Sequence, residues 1–158
     1  MKKILFGLSI LASAAMPALA QDHTLVTYAS HDEPHYVDVA QPGLSVGDQY
    51  TRYGNIRLAL EGPIVGEYYS QATMIYLDEA AKKSARTYTH EVVLSEGTIF
   101  VLDVIQLDHG KPVAEGHQHE GAILGGTGEY AGIRGTYTLK MLPSMKAFKT
   151  TYSYWLGQ

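Results

Sequence analysis

"AILGGTGEYAGIRG", residues 122–135, sets glycines at 125, 126, 128, 132 and 135 beside one acid, Glu129, and one arginine, Arg134. Such a run is compatible with two structures: a backbone cradle for a phosphate, or a tight corner between strands. The flanks distinguish them. A Walker-type loop continues from its last glycine into Lys-Ser/Thr and a helix, and Gly135 is followed by Thr-Tyr with no lysine between. A dinucleotide fingerprint also opens a helix, whereas "TYTLKML" (136–142) alternates polar and apolar like a strand. The glycines are therefore expected to build a corner, where positive φ and close backbone approach are needed.

Outward from that corner the chain continues to read as strands. Tyrosine and β-branched residues crowd into short runs separated by turn residues about every ten positions. The expected strands are 24–30, 48–60, 64–77, 85–94, 98–107, 115–124, 132–142 and 147–156, with a short extended piece at 35–39 that continues or pairs with the first. Turn chemistry separates them at "EGP" (61–63), "SEG" (95–97), "DHGKP" (108–112) and "LPS" (142–144), and "DEAAKKSA" (78–85) reads as a solvated loop. About eight antiparallel strands in one small domain give a sandwich or a closed barrel. "TIFVLDVIQL" (98–107) is apolar on both faces, which suits a barrel wall covered outside by another subunit.

The first twenty residues, "MKKILFGLSILASAAMPALA", have the layout of a secretory signal: two lysines, an apolar run, then Ala18-Leu19-Ala20 before polar "QDHT". Cleavage is expected near Ala20, leaving residues 21–158 as a single barrel domain in the periplasm or outside the cell. The apolar run is short for a bilayer span, so no membrane anchor is expected. The sequence has no cysteine, which excludes a lipoprotein anchor, disulfides and a thiol nucleophile. Without Lys2 and Lys3, 10 basic residues face 16 acidic ones, a net charge of −6 with His neutral. That balance argues against nucleic acid or an anionic membrane surface as partner.

"GGTGEYAGIRG" (125–135) resembles the signature of the allene oxide cyclase and dirigent barrel superfamily, GGTG-x-[FY]-x-x-A-R-G between two strands. "HYVDVAQPGLSVGDQY" (35–50) resembles the opening of bacterial barrels of this type. "PIVGEYYSQAT" (63–73) and "RTYTHEVVLSEGTIFVLDVI" (86–105) resemble a strand start and the central hairpin of dirigent proteins. The resemblance covers about residues 24 to 140. It implies an all-β fold, an eight-stranded antiparallel β-barrel with an apolar lumen, usually a homo-oligomer (trimer or dimer) and needing no cofactor. It further implies that lumen acids, an arginine and a tyrosine orient a reactive intermediate. On that basis Asp32, Tyr88, Glu129 and Arg134 are the catalytic candidates. Two positions depart from the pattern: Ile133 stands where the motif has Ala, and Glu129 where several relatives carry Asp.

The residues themselves add further candidates. An arginine beside developing negative charge stabilises it at low dielectric, a carboxyl of raised pKa can deliver a proton, and tyrosine offers a donor with a flat apolar face. The structural alternatives are a corner salt bridge between Arg134 and Glu129, exposed loop acids at 32 and 129, and core packing for Tyr88. Asp103 stands on one strand face with Ile99, Val101, Ile105 and Leu107, so it is paired with a base, at a strand end, or functional. Glu67, Tyr69 and Gln71 share a strand face and are candidates to line the lumen as ligand-binding residues. "HQHE" (117–120) puts His117 and His119 on one strand face roughly 7 Å apart, a spacing two ligands of one metal can share. His90, His31 and His35 lie on other stretches, and no carboxylate at fixed spacing completes a metal site, so the pair reads first as hydrogen-bonded or solvated histidines.

Three functions are compatible with this reading. A barrel can bind a small hydrophobic oxygenated molecule and steer its cyclisation or isomerisation, mainly by confinement. It can bind such a molecule without catalysis. Or its lumen can be filled by its own side chains while the outer surface engages a partner. A hollow lumen with inward polar groups separates the first two from the third.

Overall fold

A computed structural model describes residues 22–31, 34–108, 114–143 and 147–157. Nine strands follow in chain order: β1 (His23–His31), β2 (His35–Val37), β3 (Gln49–Arg57), β4 (Ile64–Asp78), β5 (Lys83–Leu94), β6 (Gly97–Asp108), β7 (Gln118–Gly126), β8 (Ile133–Met141) and β9 (Ala147–Leu156). Sequential neighbours pair antiparallel from β3 to β9, and β1 pairs with both β9 and β3. Eight strands thus close into a barrel without a free edge in the ring. The short β2 does not pair with β1. It continues β1 along the same edge of β3, β1 covering Gly54–Arg57 and β2 covering Gln49–Thr51.

The glycine-rich stretch is the corner between β7 and β8, with one turn of 3-10 helix at Gly128–Tyr130. Four of its backbone amides are bonded within the protein. Thr127 N donates to Thr98 O, Glu129 N to Glu96 O, Tyr130 N to Thr127 O and Ala131 N to Gly128 O. No cradle of free N–H groups remains for a phosphate. Gly128 has φ +59°, and a Cβ there would run into the Glu96 carbonyl of the facing β5–β6 turn. That position needs glycine.

Period-two alternation decides which side chains enter the lumen. On β4, Tyr68, Ser70, Ala72 and Met74 are buried while Glu67, Tyr69 and Gln71 are exposed. On β8, Ile133, Tyr137 and Leu139 are buried and Arg134 is exposed. The half of the barrel nearest the glycine corner is filled by an apolar cluster including Ile56, Val92, Ile99, Val101, Ile123 and Ile133. Fully buried Tyr68, Tyr137 and Tyr152 occupy the middle. The opposite half, where β3 begins and β6 ends, is left partly hollow.

The outer wall has an apolar strip: Val93, Leu102, Val104 and Leu124 are 37, 37, 56 and 53% exposed. Pairing between β6 and β7 stops at Leu102 and Ala122, so the two strands part towards the hollow end. No helix among the described residues is long and apolar enough to cross a membrane.

Candidate functional site

The hollow end holds a cavity of about 100 Å³ lined by Tyr50, Arg52, Ser70, Ala72, Arg86, Tyr88, Ile105, Leu107, His117, His119, Leu139, Met141 and Phe148. Cavities on the order of 150 Å³ accommodate one benzene ring, so this space takes about one ring, with the rest of a larger ligand in the mouth.

A polar triad crosses the floor. Asp103 Oδ2 lies 2.5 Å from His119 Nδ1 and accepts the Tyr137 hydroxyl at 2.7 Å. The Asp103 side chain is only 2% exposed and that of His119 14%. β6, β7 and β8 each supply one member, and Gly121 makes the approach feasible. A Cβ at 121 would stand 2.6 Å from Asp103 Cβ and from Tyr137 Cε1. With Nδ1 engaged by the carboxylate, His119 has Nε2 left for a ligand, the arrangement by which a carboxylate fixes an imidazole's tautomer. Asp103 Oδ1 is buried with no hydrogen-bond partner.

Around the triad the rings interlock. Tyr88 meets both His90 and His119 edge-on, with centroids 5.5 and 5.9 Å apart. His90 Nε2 is 3.3 Å from the Tyr152 hydroxyl. Burial raises the Tyr88 hydroxyl above its ordinary range, with Ser70 and Arg52 acting against that. Burial first, then the bond to Asp103, holds Tyr137 well above the ordinary tyrosine range, so it stays a proton donor.

Burial, reinforced by His119, pushes His90 down to about 3. Its folded pKa is therefore below the unfolded value near 6.5, and between these limits the unfolded chain binds the extra proton. Stability attributable to His90 is complete above pH 6.5 and declines as the pH falls towards 3. The slope is about 1.4 kcal/mol per pH unit, about 2 kcal/mol between pH 6.5 and 5. Urea titrations of wild type and His90→Gln across pH 5–7 should show the variant's pH dependence flattened by that amount. Parallel curves would mean that His90 is solvated.

The residues expected from the sequence distribute unevenly. Tyr88 and Asp103 face the lumen, Asp103 paired with a lumen base. His117 and His119 also line it, with ring centroids 6.1 Å apart. Among the described residues no group of three His, Cys, Asp or Glu is placed to hold a metal ion. Arg134 is not in the lumen. Its neighbour Ile133 is 0% exposed and takes the inward position, so Arg134 points out and donates to the Ile133 and Leu124 carbonyls. Glu129 is exposed on the corner. Glu67, Tyr69 and Gln71 lie on the outer face, where Tyr69 donates to Glu67 at 2.6 Å and Gln71 bonds Gln49. One inversion of strand parity removes all three from the lumen. Asp32 lies outside the described residues.

Sequence reading missed Arg52, Arg86, Tyr137 and Tyr152. Alternation carries the signal for two of them: Arg86 shares the face of Tyr88, His90 and Val92, and Tyr137 that of Ile133 and Leu139.

Solved structures of similar fold include pyocyanin demethylase, with 21% identity and a TM-score of 0.64, covering 84% of this chain and 99% of that one. A Diels-Alderase from Streptomyces koyangensis gives 18%, a TM-score of 0.60 and coverage of 84% and 62%. A pterocarpan synthase dirigent protein gives 17%, 0.61, and coverage of 98% and 100%. At these identities the likeness concerns the fold. No curated protein sequence matches the chain. The sequence profile described as "Allene oxide cyclase barrel like domain" matches residues 25–151, most of the chain, and the chain belongs to that family.

Proposed function

We propose that the protein binds a small, hydrophobic, oxygenated molecule in the open half of its barrel and steers its cyclisation or isomerisation without a cofactor. The observation that supports this reading is the His119–Asp103 pair at the floor of an otherwise largely apolar cavity. Asp103 orients the ring and compensates an imidazolium. His119 Nε2 can then take a proton from one position of a confined ligand, and the same nitrogen can return it at another. Atoms balance, since the product is an isomer. Tyr88, held protonated, offers a hydrogen bond to a ligand oxygen. Confinement supplies the remainder by holding one reactive conformer. Solved Diels-Alderases and a dirigent protein of the same fold make the barrel a reasonable host for such chemistry.

The filled centre of the lumen favours a second reading on one point. Tyr68, Tyr137 and Tyr152 leave space for little more than one ring, which also suits a carrier without turnover. The apolar strip on β5–β7 supports a homo-oligomer, and the first twenty residues support export to the periplasm or beyond.

Native mass spectrometry of protein purified from an exporting host tests both readings and reports the stoichiometry. The catalytic reading expects a retained organic mass whose isomerisation is accelerated by wild type. His119→Ala should slow that turnover by about 10²–10⁴ while retaining the fold. Binding without turnover by wild type would assign the protein to the carrier reading, and turnover unaltered in His119→Ala would remove His119 from the catalytic role.

A further inference from the structure

The cavity contains arginine charge that no salt bridge among the described residues pairs. Arg86 on β5 lies with its guanidinium carbon 4.0 Å above the Tyr50 ring, and its Nε is buried without a hydrogen-bond partner. Arg52 on β3 lines the same cavity. Salt bridges among the described residues engage Lys82, Lys83 and His119, and neither of these arginines. Two carboxylates among the described residues hold other groups. Asp103 Oδ2 holds His119 and Tyr137. Asp48 acts on Arg86 through space, but its oxygens receive Tyr36, Val39 and Ser45.

Burial weakens the charged form of Arg86, and the like charge of Arg52 weakens it further. Two guanidinium groups in one partly desolvated wall are costly unless a counter-charge arrives. Facing them are apolar Ile105, Leu107, Leu139 and Met141. A ligand that satisfies both walls has an apolar body and one anionic end. Planar guanidinium groups suit a carboxylate or enolate oxygen in particular.

We propose that Arg86 and Arg52 form an anion clamp, and that the lumen ligand is an apolar organic molecule bearing an anionic oxygen group. This rests on the lumen-binding reading above and names the class of its ligand. Bound in this way, the anionic end lies against β3 and β5, and the apolar body extends towards His119.

Calorimetric titration of the full mature chain with cinnamate and with its neutral isostere cinnamamide tests the clamp. Cinnamate should bind at least tenfold more tightly than the amide. Arg86→Gln should bring the ratio close to one, and Arg52→Gln should reduce it in part. Arg86→Lys, which keeps the charge, should retain part of the preference. Thermal melts verify folding. Equal binding of acid and amide by wild type would overturn the clamp and leave lumen binding intact. A preference that survives both Gln substitutions would place the anion elsewhere and overturn it also. If neither compound binds, the lumen reading fails and the clamp with it.

Discussion

Asp103→Ala is expected to destabilise the protein by about 2–4 kcal/mol, the cost of leaving two hydrogen-bond donors without their shared acceptor and a small void in their place. The carboxylate is 2% exposed and one of its oxygens serves both His119 and Tyr137. Its removal leaves a buried imidazole and a buried hydroxyl without acceptors and opens a void between β6 and β7. Asp103→Asn keeps the volume and one acceptor, so its cost should be smaller, about 1–2 kcal/mol. It nevertheless removes the group that fixes His119's tautomer, so under the proposed catalytic function turnover should fall more than stability does. The triple variant Asp103→Leu, His119→Phe, Tyr137→Phe should recover most of the stability lost in Asp103→Ala, because apolar replacements of whole buried networks are often neutral. Urea midpoints at constant slope separate these cases. A cost below about 1 kcal/mol for Asp103→Ala would show that the carboxylate is solvated and holds nothing.

The unevenness of what the sequence revealed has a single physical source. Most strand boundaries were readable because turn residues and β-branched runs are local signals, although the expected 48–60 strand overran β3 by three residues and the expected 115–124 strand began three residues before β7. The expected 64–77, 98–107 and 147–156 strands differ from β4, β6 and β9 by one residue at most at each end. The corner was readable too, since positive φ and a crowded backbone demand glycine wherever they occur. Parity is different, because it is a global property. Whether Glu67 or Tyr68 faces inward depends on which set of alternating residues the closed barrel buries, and β4 is amphipathic enough to be read either way. Tyr68 and Ser70 look no more like core than Tyr69 does. The resemblance carried the barrel and the inward Tyr88, but the motif arginine corresponds to Arg134 outside, while the lumen arginines arrive on β3 and β5. Fold is encoded by many positions at once and site chemistry by a few, so only the first survives distant similarity.

Those few positions depend on a residue with no side chain. Gly121→Ala is expected to cost about 3 kcal/mol, the upper range for inserting a methyl into a packed interior. Its Cβ would meet Asp103 Cβ, the Leu102 carbonyl and Tyr137 Cε1, each at 2.6 Å. Two of the three belong to the polar floor and the third is backbone of the paired strand, so no flexible chain end can give way. Gly121 stands opposite Tyr137 in the β7–β8 register, and the missing Cβ is what lets the phenol ring lie across β7 to reach Asp103. Relief requires Tyr137 to withdraw, and its bond to Asp103 is lost with the movement. Gly125 on the same strand is the internal comparison. A Cβ there would find only Arg134 Nη1, 3.9 Å away, so Gly125→Ala should change stability by less than about 0.5 kcal/mol. Chemical denaturation of both variants measures the contrast, and loss of the Asp103–Tyr137 bond in Gly121→Ala should accompany weaker ligand binding. Equal losses at 121 and 125 would mean that strand backbone preference, rather than the approach of Asp103 and Tyr137, sets the requirement for glycine in β7.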